Sequence, residues 1–156
     1  MSVLSQVSFF LLRTIATLGP IGHLPKAPGT WGSCAALCAA PWLFLPLHLE
    51  ARLLVLTVLF LVGGIAAGCF ERESKCQDPG QVVIDEVLGQ WTTLCFVAQA
   101  QWWALLLALV LFRILDICKP WPIRASESWL PGGFSVMIDD FLAGLIAAGL
   151  LALGGG

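Results

Sequence analysis

Charge is what this sequence has least of. Asp, Glu, Lys and Arg make up 12% of its 156 residues, about half the roughly 25% of a soluble domain. The net charge is −2, so no basic field calls for nucleic acid. Tyrosine is absent, and the two histidines, His23 and His48, stand too far apart for H-x-x-x-H ligation. They are read as hydrogen-bonded loop or interface residues. None of the six cysteines forms a C-x-x-C pair, and four lie inside apolar runs, which argues against a disulfide framework or a zinc site. No basic segment precedes Phe9-Phe10-Leu11-Leu12, so the N-terminus is not expected to be a cleaved signal. There is no internal repeat, and low complexity is confined to the Gly154–Gly156 tail.

What remains is apolar. Hydrophobic residues reach 58%, with seven Trp and nine Phe, and mean hydropathy is +0.89. A single domain spanning 1–156 could not hide this much apolar surface from water, so an integral membrane protein is expected. Leu4, Val7, Leu11, Ile15 and Leu18 recur at helical spacing, predicting a helix over 3–18 on or in the membrane face. Residues 19–33, rich in Pro and Gly, read as a loop. Residues 34–49 read as an apolar run kinked by Pro41 and Pro46. Glu50-Ala51-Arg52 reads as a tight turn, and 53–70 as a membrane crossing. A second polar loop fills 71–81 and ends on the breaker Asp78-Pro79-Gly80.

From Val87 to Phe112 there is no charge, but Gln99 and Gln101 interrupt the run. Two shorter helices, 87–98 and 102–116, are expected, each about 20 Å against a hydrocarbon core of about 30 Å. A third polar loop covers 119–134 and a last helix 136–153. A fold-back near Gln99–Gln101 would bring all three polar loops to one side. Arg13, Lys26, Arg72, Lys75, Arg113, Lys119 and Arg124 would share that side, with Arg52 alone opposite. The positive-inside rule makes it cytoplasmic. The fold class is therefore all-α: a multi-pass integral membrane helical bundle with short or re-entrant helices and polar loops on one face.

Five carboxylates stand out against this background: Asp85, Glu86, Asp116, Asp139 and Asp140. Burying one costs several kcal/mol unless a positive group compensates it. Helix capping explains one acid in a first turn, but Asp85-Glu86 and Asp139-Asp140 are pairs. Asp116 is set near a helix C-terminus, where the dipole disfavours it. An all-oxygen set without paired His points to a hard cation, Mg²⁺ above others. Arg113, Lys119 and Arg124 flank Asp116, and Lys26 lies in the first loop. Snorkelling would account for such cations; a phosphate clamp would too. Gly29, Thr30, Gly32 and Ser33 precede the helix expected at 34 and offer N–H and hydroxyl donors.

Other phosphate chemistries fit poorly. Cys118 and Arg124 have C-x₅-R spacing, but Pro120 and Pro122 remove two of the N–H donors a cysteine phosphatase loop needs. The G-x-x-x-x-G-K-[ST] loop, the D-x-D of haloacid-dehalogenase-type phosphatases and the His-containing motifs of lipid-phosphate phosphatases are absent.

The string from Gly22 to Ser33, GHLPKAPGTWGS, closely resembles the opening motif of the phosphatidylglycerophosphatase A family. Val83-Ile84-Asp85-Glu86-Val87-Leu88-Gly89 is similar to its second. Phe112 to Asp116, with Lys119-Pro120-Trp121-Pro122-Ile123-Arg124, is similar to its third. Gly132-Gly133, Met137 to Asp140 and Ala143-Gly144 are similar to its fourth. Ser135 and Glu127 depart from the pattern, where Gly and Asp are expected. The resemblance implies a Mg²⁺-dependent phosphatase of the bacterial inner membrane. It would convert phosphatidylglycerophosphate to phosphatidylglycerol and phosphate in phospholipid biosynthesis. On this reading Asp85, Glu86, Asp116, Asp139 and Asp140 hold Mg²⁺ directly or through water. Lys26, Thr30, Ser33, Lys119 and Arg124 grip the phosphate, and the site faces the cytoplasm. The partner is a phospholipid; nucleic acid is not expected, and the oligomeric state is open. The rivals are a phosphatase of another phospholipid or phosphate ester, and a non-enzymatic cation transporter.

Overall fold

The computed structural model describes residues 3–154. Gly155 and Gly156 of the predicted tail, and the side chain of Leu4, lie outside the described residues. Among these the regular elements are all helical, without strands: α1 (Val3–Ala16), a 3-10 turn (Ile21–His23), α2 (Pro28–Leu43), α3 (Leu49–Ser74), α4 (Ile84–Thr93), α5 (Trp102–Cys118), α6 (Ile123–Ser126) and α7 (Gly133–Leu153). At 1.5 Å per residue, α3 and α7 reach about 39 and 31 Å, enough to cross a hydrocarbon core of about 30 Å. Both are apolar enough to do so. The outer face of α3 exposes Leu53, Leu54, Val58, Leu61, Val62 and Ile65, a surface that water would not tolerate but lipid would.

The fold-back is present. α4 and α5 are separated by residues 94–101, and Asp85 at the start of α4 lines the same cavity as Asp116 near the end of α5. α4 is the centre of the bundle. It packs against α2, α3, α5 and α7, and all its residues except Trp91 are buried. Trp91 donates from Nε1 to the Ala36 carbonyl at 2.9 Å and stacks on Phe44 with ring centroids 5.0 Å apart. On the opposite flank α4 meets α7 backbone to backbone. A Cβ on Gly144 would run into the Gly89 carbonyl, and one on Gly89 into the Phe112 ring. Small residues allow this approach, which is how helices associate where lipid supplies no hydrophobic drive.

Several boundaries differ from expectation. The loop predicted over 19–33 is half helix, because α2 begins at Pro28. Proline is welcome at a first helical position, where its missing N–H costs nothing. Pro41 sits in the last turn of α2 and Pro46 beyond its end, so the helix stops there. Glu50-Ala51-Arg52 is the first turn of α3 rather than a tight turn. α7 starts at Gly133, so Asp139 and Asp140 lie about two turns inside it.

Arg52, the lone cation of the far end, is buried. Its guanidinium donates to the carbonyls of Leu45 at 2.5 Å, Leu47 at 2.9 Å, and Cys95 and Val97 at 2.8 Å each. These carbonyls follow the C-termini of α2 and α4. One positive charge thus satisfies acceptors that two neighbouring helix ends leave open.

Candidate active site

The polar ends of the helices surround a cavity of about 330 Å³. All five predicted acids line it: Asp85, Glu86, Asp116, Asp139 and Asp140. They come from α4, α5 and α7, elements far apart in sequence. Asp78, Arg113 and Lys119 complete its charged lining. Six carboxylates therefore face two cations.

Local geometry repeats in the two pairs. Asp85 Oδ1 accepts from the Glu86 N–H at 3.0 Å, and Asp139 Oδ1 accepts from the Asp140 N–H at 3.1 Å. Adjacent helical residues diverge by about 100°, so each pair sends its two carboxylates in different directions. Glu86 turns toward α2 and α5. Its Oε2 accepts from the Ser33 hydroxyl at 2.7 Å and from Arg113 Nη1. The same Nη1 lies 2.8 Å from Asp116 Oδ2, one turn further along α5. A Cβ on Gly29 would overlap the Glu86 carboxylate, so glycine there makes room for the acid.

Asp139 is bound differently. Lys119 Nζ lies 2.5 Å from its Oδ2 and 2.7 Å from Glu127 Oε1. Burial alone would lower the Lys119 pKa; hydrogen bonds to Asp139 and Glu127 outweigh it and hold the ammonium above the ordinary lysine value. Lys119 is therefore a fixed positive charge at neutral pH. Asp140 is only 4% exposed, and its Oδ2 has no hydrogen-bond partner. A buried carboxylate oxygen left open is costly unless something positive is meant to meet it.

The donors are all oxygen and the negative charge exceeds the positive, which suits a hard divalent cation. Protein cations occupy part of the set, at Glu86, Asp116 and Asp139. Accordingly no three acids among the described residues converge on one ready-made metal position. Of the five predicted acids, Asp85 and Asp140 are the two that neither Arg113 nor Lys119 binds directly.

The predicted phosphate ligands separate. Lys119 lines the acid cavity. Ser33 is buried and engaged with Glu86 and the Gly29 carbonyl. Thr30 is exposed in the first turn of α2 and Lys26 is exposed just before that helix; neither lines the acid cavity. Arg124 lines a neighbouring cavity of about 300 Å³ with Ile117, Cys118, Lys119 and Glu127.

Three residues were left out of the predicted site. Asp78 was read only as a breaker beside Pro79, yet its carboxylate lines the cavity. Arg113 was noted as a flanking cation, but nothing in the string ties it to Glu86, 27 positions away. Glu127 was read as a departure in a loop motif and is the second partner of Lys119.

The family model described as Phosphatidylglycerophosphatase A matches residues 14–154. A Phosphatidylglycerophosphatase A of Escherichia coli (strain K12) is 38% identical over 135 residues, covering 83% of this chain and 75% of the relative. A Phosphatidylglycerophosphatase A of Haemophilus influenzae is 34% identical over 145 residues, covering 87% and 89%. A Bacteroides thetaiotaomicron protein, provisionally named a phosphatidylinositol-3-phosphatase, is 38% identical over 151 residues, covering 92% and 93%. No solved structure matches. The matched span takes in every acid of the cavity, and the chain belongs to the phosphatidylglycerophosphatase A family, and with it to the phosphatases.

Proposed function

We propose that this chain removes the terminal phosphate of phosphatidylglycerophosphate, giving phosphatidylglycerol and inorganic phosphate in phospholipid biosynthesis. The observation that carries this reading is the cavity itself. Acids from three separated elements meet there beside Arg113 and Lys119, at one end of a bundle with lipid-compatible walls. A phosphate dianion would be repelled by six carboxylates alone, so a cation must come between them.

That cation is proposed to be Mg²⁺, held by Asp85 and Asp140, with Glu86, Asp116 and Asp139 arranged around them directly or through water. When bound it would neutralise phosphate charge and supply a water of lowered pKa. The chain's own residues then have distinct tasks. Lys119 meets a phosphate oxygen with a charge that stays on. Arg113 ties Glu86 to Asp116 and so stiffens the part of the wall that α4 and α5 supply. Water attacks phosphorus in line, a carboxylate of the set takes the water's proton, the bond from phosphorus to the glycerol oxygen breaks, and that proton is passed to the departing oxygen to give the alcohol.

Seven of the eight Lys and Arg residues flank the end that bears the cavity; the eighth, Arg52, is consumed in capping helices at the other. By the positive-inside rule this end would face the cytoplasm of a bacterial inner membrane. A transporter would place its acids near mid-bilayer, whereas these lie at one end of the bundle. The Bacteroides relative's name favours keeping a second reading: a phosphomonoester on another phospholipid head group. Phosphate release by the purified protein from phosphatidylglycerophosphate, phosphatidylinositol-3-phosphate and phosphatidic acid, with and without Mg²⁺, tests the assignment. Release from the first, and only with the metal, is expected. Turnover of the second alone would move the substrate, and no turnover of any would remove the reading.

A further inference from the structure

Arg124, Lys26 and Lys75 are the cations of this end without a hydrogen bond or ion pair among the described residues, and Arg124 lines a cavity next to the acids. It is exposed on α6. It does not line the acid cavity. It lines the adjoining one, whose only acid, Glu127, is already bound by Lys119. The guanidinium charge is thus uncompensated within its own cavity. Ile117 and Lys119 line both cavities, so the two spaces share a wall and a ligand could occupy both.

An apolar surface lies beside the two cavities. Ile117 is 68% exposed, and it ends a stripe formed by Trp103, Leu107, Val110, Ile114 and Ile117. Their spacing of four, three, four and three residues puts them on one face of α5. All five are exposed, in a helix whose outer face would meet acyl chains. The stripe ends at Ile117, which lines both cavities, so the apolar surface runs up to the arginine and to the acids alike.

A phospholipid with a phosphorylated head group has parts to match: an apolar portion and two separate phosphates. Acyl chains come first, then an internal phosphodiester, then a polyol, then the phosphomonoester. Resting on the reading of the acid cavity as the monoester site, we propose that Arg124 binds the internal phosphodiester and not the phosphate that is removed. A guanidinium suits two non-bridging oxygens of one phosphate, which it meets with a planar fork. The substrates named for the relatives, phosphatidylglycerophosphate and a phosphatidylinositol 3-phosphate, both carry this pair of phosphates on either side of a polyol. Arg124 would therefore select the class, lipids with a diester behind the monoester, over phosphatidic acid, which has the monoester alone.

Product inhibition separates the two phosphates, because phosphatidylglycerol keeps the diester and inorganic phosphate resembles the group released. The full chain in detergent micelles with Mg²⁺ is assayed on phosphatidylglycerophosphate. Dihexanoyl phosphatidylglycerol and inorganic phosphate serve as competing inhibitors. In Arg124→Gln the Ki for dihexanoyl phosphatidylglycerol should rise about tenfold or more, the size of one charge-assisted hydrogen bond. The Ki for inorganic phosphate should move less than twofold. Arg124→Lys, which keeps the charge and loses the fork, should fall between, and serves alone if the glutamine variant does not fold. A raised Ki for inorganic phosphate, with that for the lipid unchanged, would assign Arg124 to the released phosphate and overturn the proposal. An unchanged Ki for both would overturn it as well. Wild-type protein that hydrolyses none of the phospholipid monoesters would instead remove the reading on which it rests.

Discussion

The hydroxyl of Ser33, in the first turns of α2, donates a 2.7 Å hydrogen bond to Oε2 of Glu86, 53 positions along the chain. Both are buried, so Ser33 orients an acid of the cavity and does not itself face the substrate. Ser33→Ala should lower kcat by about tenfold and leave KM within about twofold, since one buried hydrogen bond to a charged group is worth roughly 1.5–3 kcal/mol. Steady-state kinetics on phosphatidylglycerophosphate decide this. A raised KM with unchanged kcat would mean that Ser33 binds the phosphate after all.

Gly29, one turn before Ser33 on the same face of α2, packs against the other oxygen of the Glu86 carboxylate, Oε1. Gly29→Ala sets a methyl against Glu86 and should displace the acid from Arg113. Turnover should fall at least about tenfold, the effect of a displacement worth roughly 1.4 kcal/mol at the transition state. Helix content should be retained by circular dichroism, because alanine is a better helix former than glycine.

Lys119 supplies charge rather than a proton. Its folded-state pKa is raised above the unfolded value of about 10.4. Its contribution to stability is therefore fully present below that value and is lost only as pH rises through the folded pKa. Between pH 6 and 9, Lys119→Met should lower kcat/KM without removing a limb of the pH profile. Lys119→Arg should restore a large part of the loss. A limb near neutral pH that vanishes in Lys119→Met would identify Lys119 as an acid instead.

Arg52 acts at the opposite end, on four main-chain carbonyls. Arg52→Met leaves these buried acceptors open, and should destabilise the protein by about 3 kcal/mol or more. Thermal unfolding in detergent should show the loss. The catalytic cycle of the surviving folded protein should keep its KM, since the substitution lies beyond α2 and α4 from the acid cavity.

The acids of the candidate site could be picked out from the string because carboxylates are so out of place in it. In a chain this apolar, Asp85, Glu86, Asp116, Asp139 and Asp140 needed a common reason, and the fold-back at Gln99–Gln101 supplied the geometry. What stayed hidden depended on partners distant in sequence. Asp78 looked like part of a turn because Pro79 and Gly80 follow it. The tie between Arg113 and Glu86 runs between helices, and no local spacing encodes it. Arg52 looked like a surface turn because its partners are carbonyls, which every residue has. The start of α2 was misplaced because Pro28, Gly29 and Gly32 read as breakers. Here proline opens a helix and glycine lets Glu86 approach. Burial of all but one residue of α4 was equally unreadable, as it follows from four surrounding helices rather than from its own pattern.

The central claim is that Asp85 and Asp140 hold the cation on which phosphate release depends. The most direct measurement is Mg²⁺ binding by isothermal titration calorimetry, paired with phosphate release from phosphatidylglycerophosphate, for wild type, Asp85→Asn and Asp140→Asn. The account predicts that wild type binds Mg²⁺ and turns over. Each asparagine variant should remain folded, bind Mg²⁺ at least about tenfold more weakly, and lose turnover by about 10²-fold or more, roughly 2.7 kcal/mol of transition-state stabilisation. Variants that bind the metal and release phosphate as wild type does would contradict it.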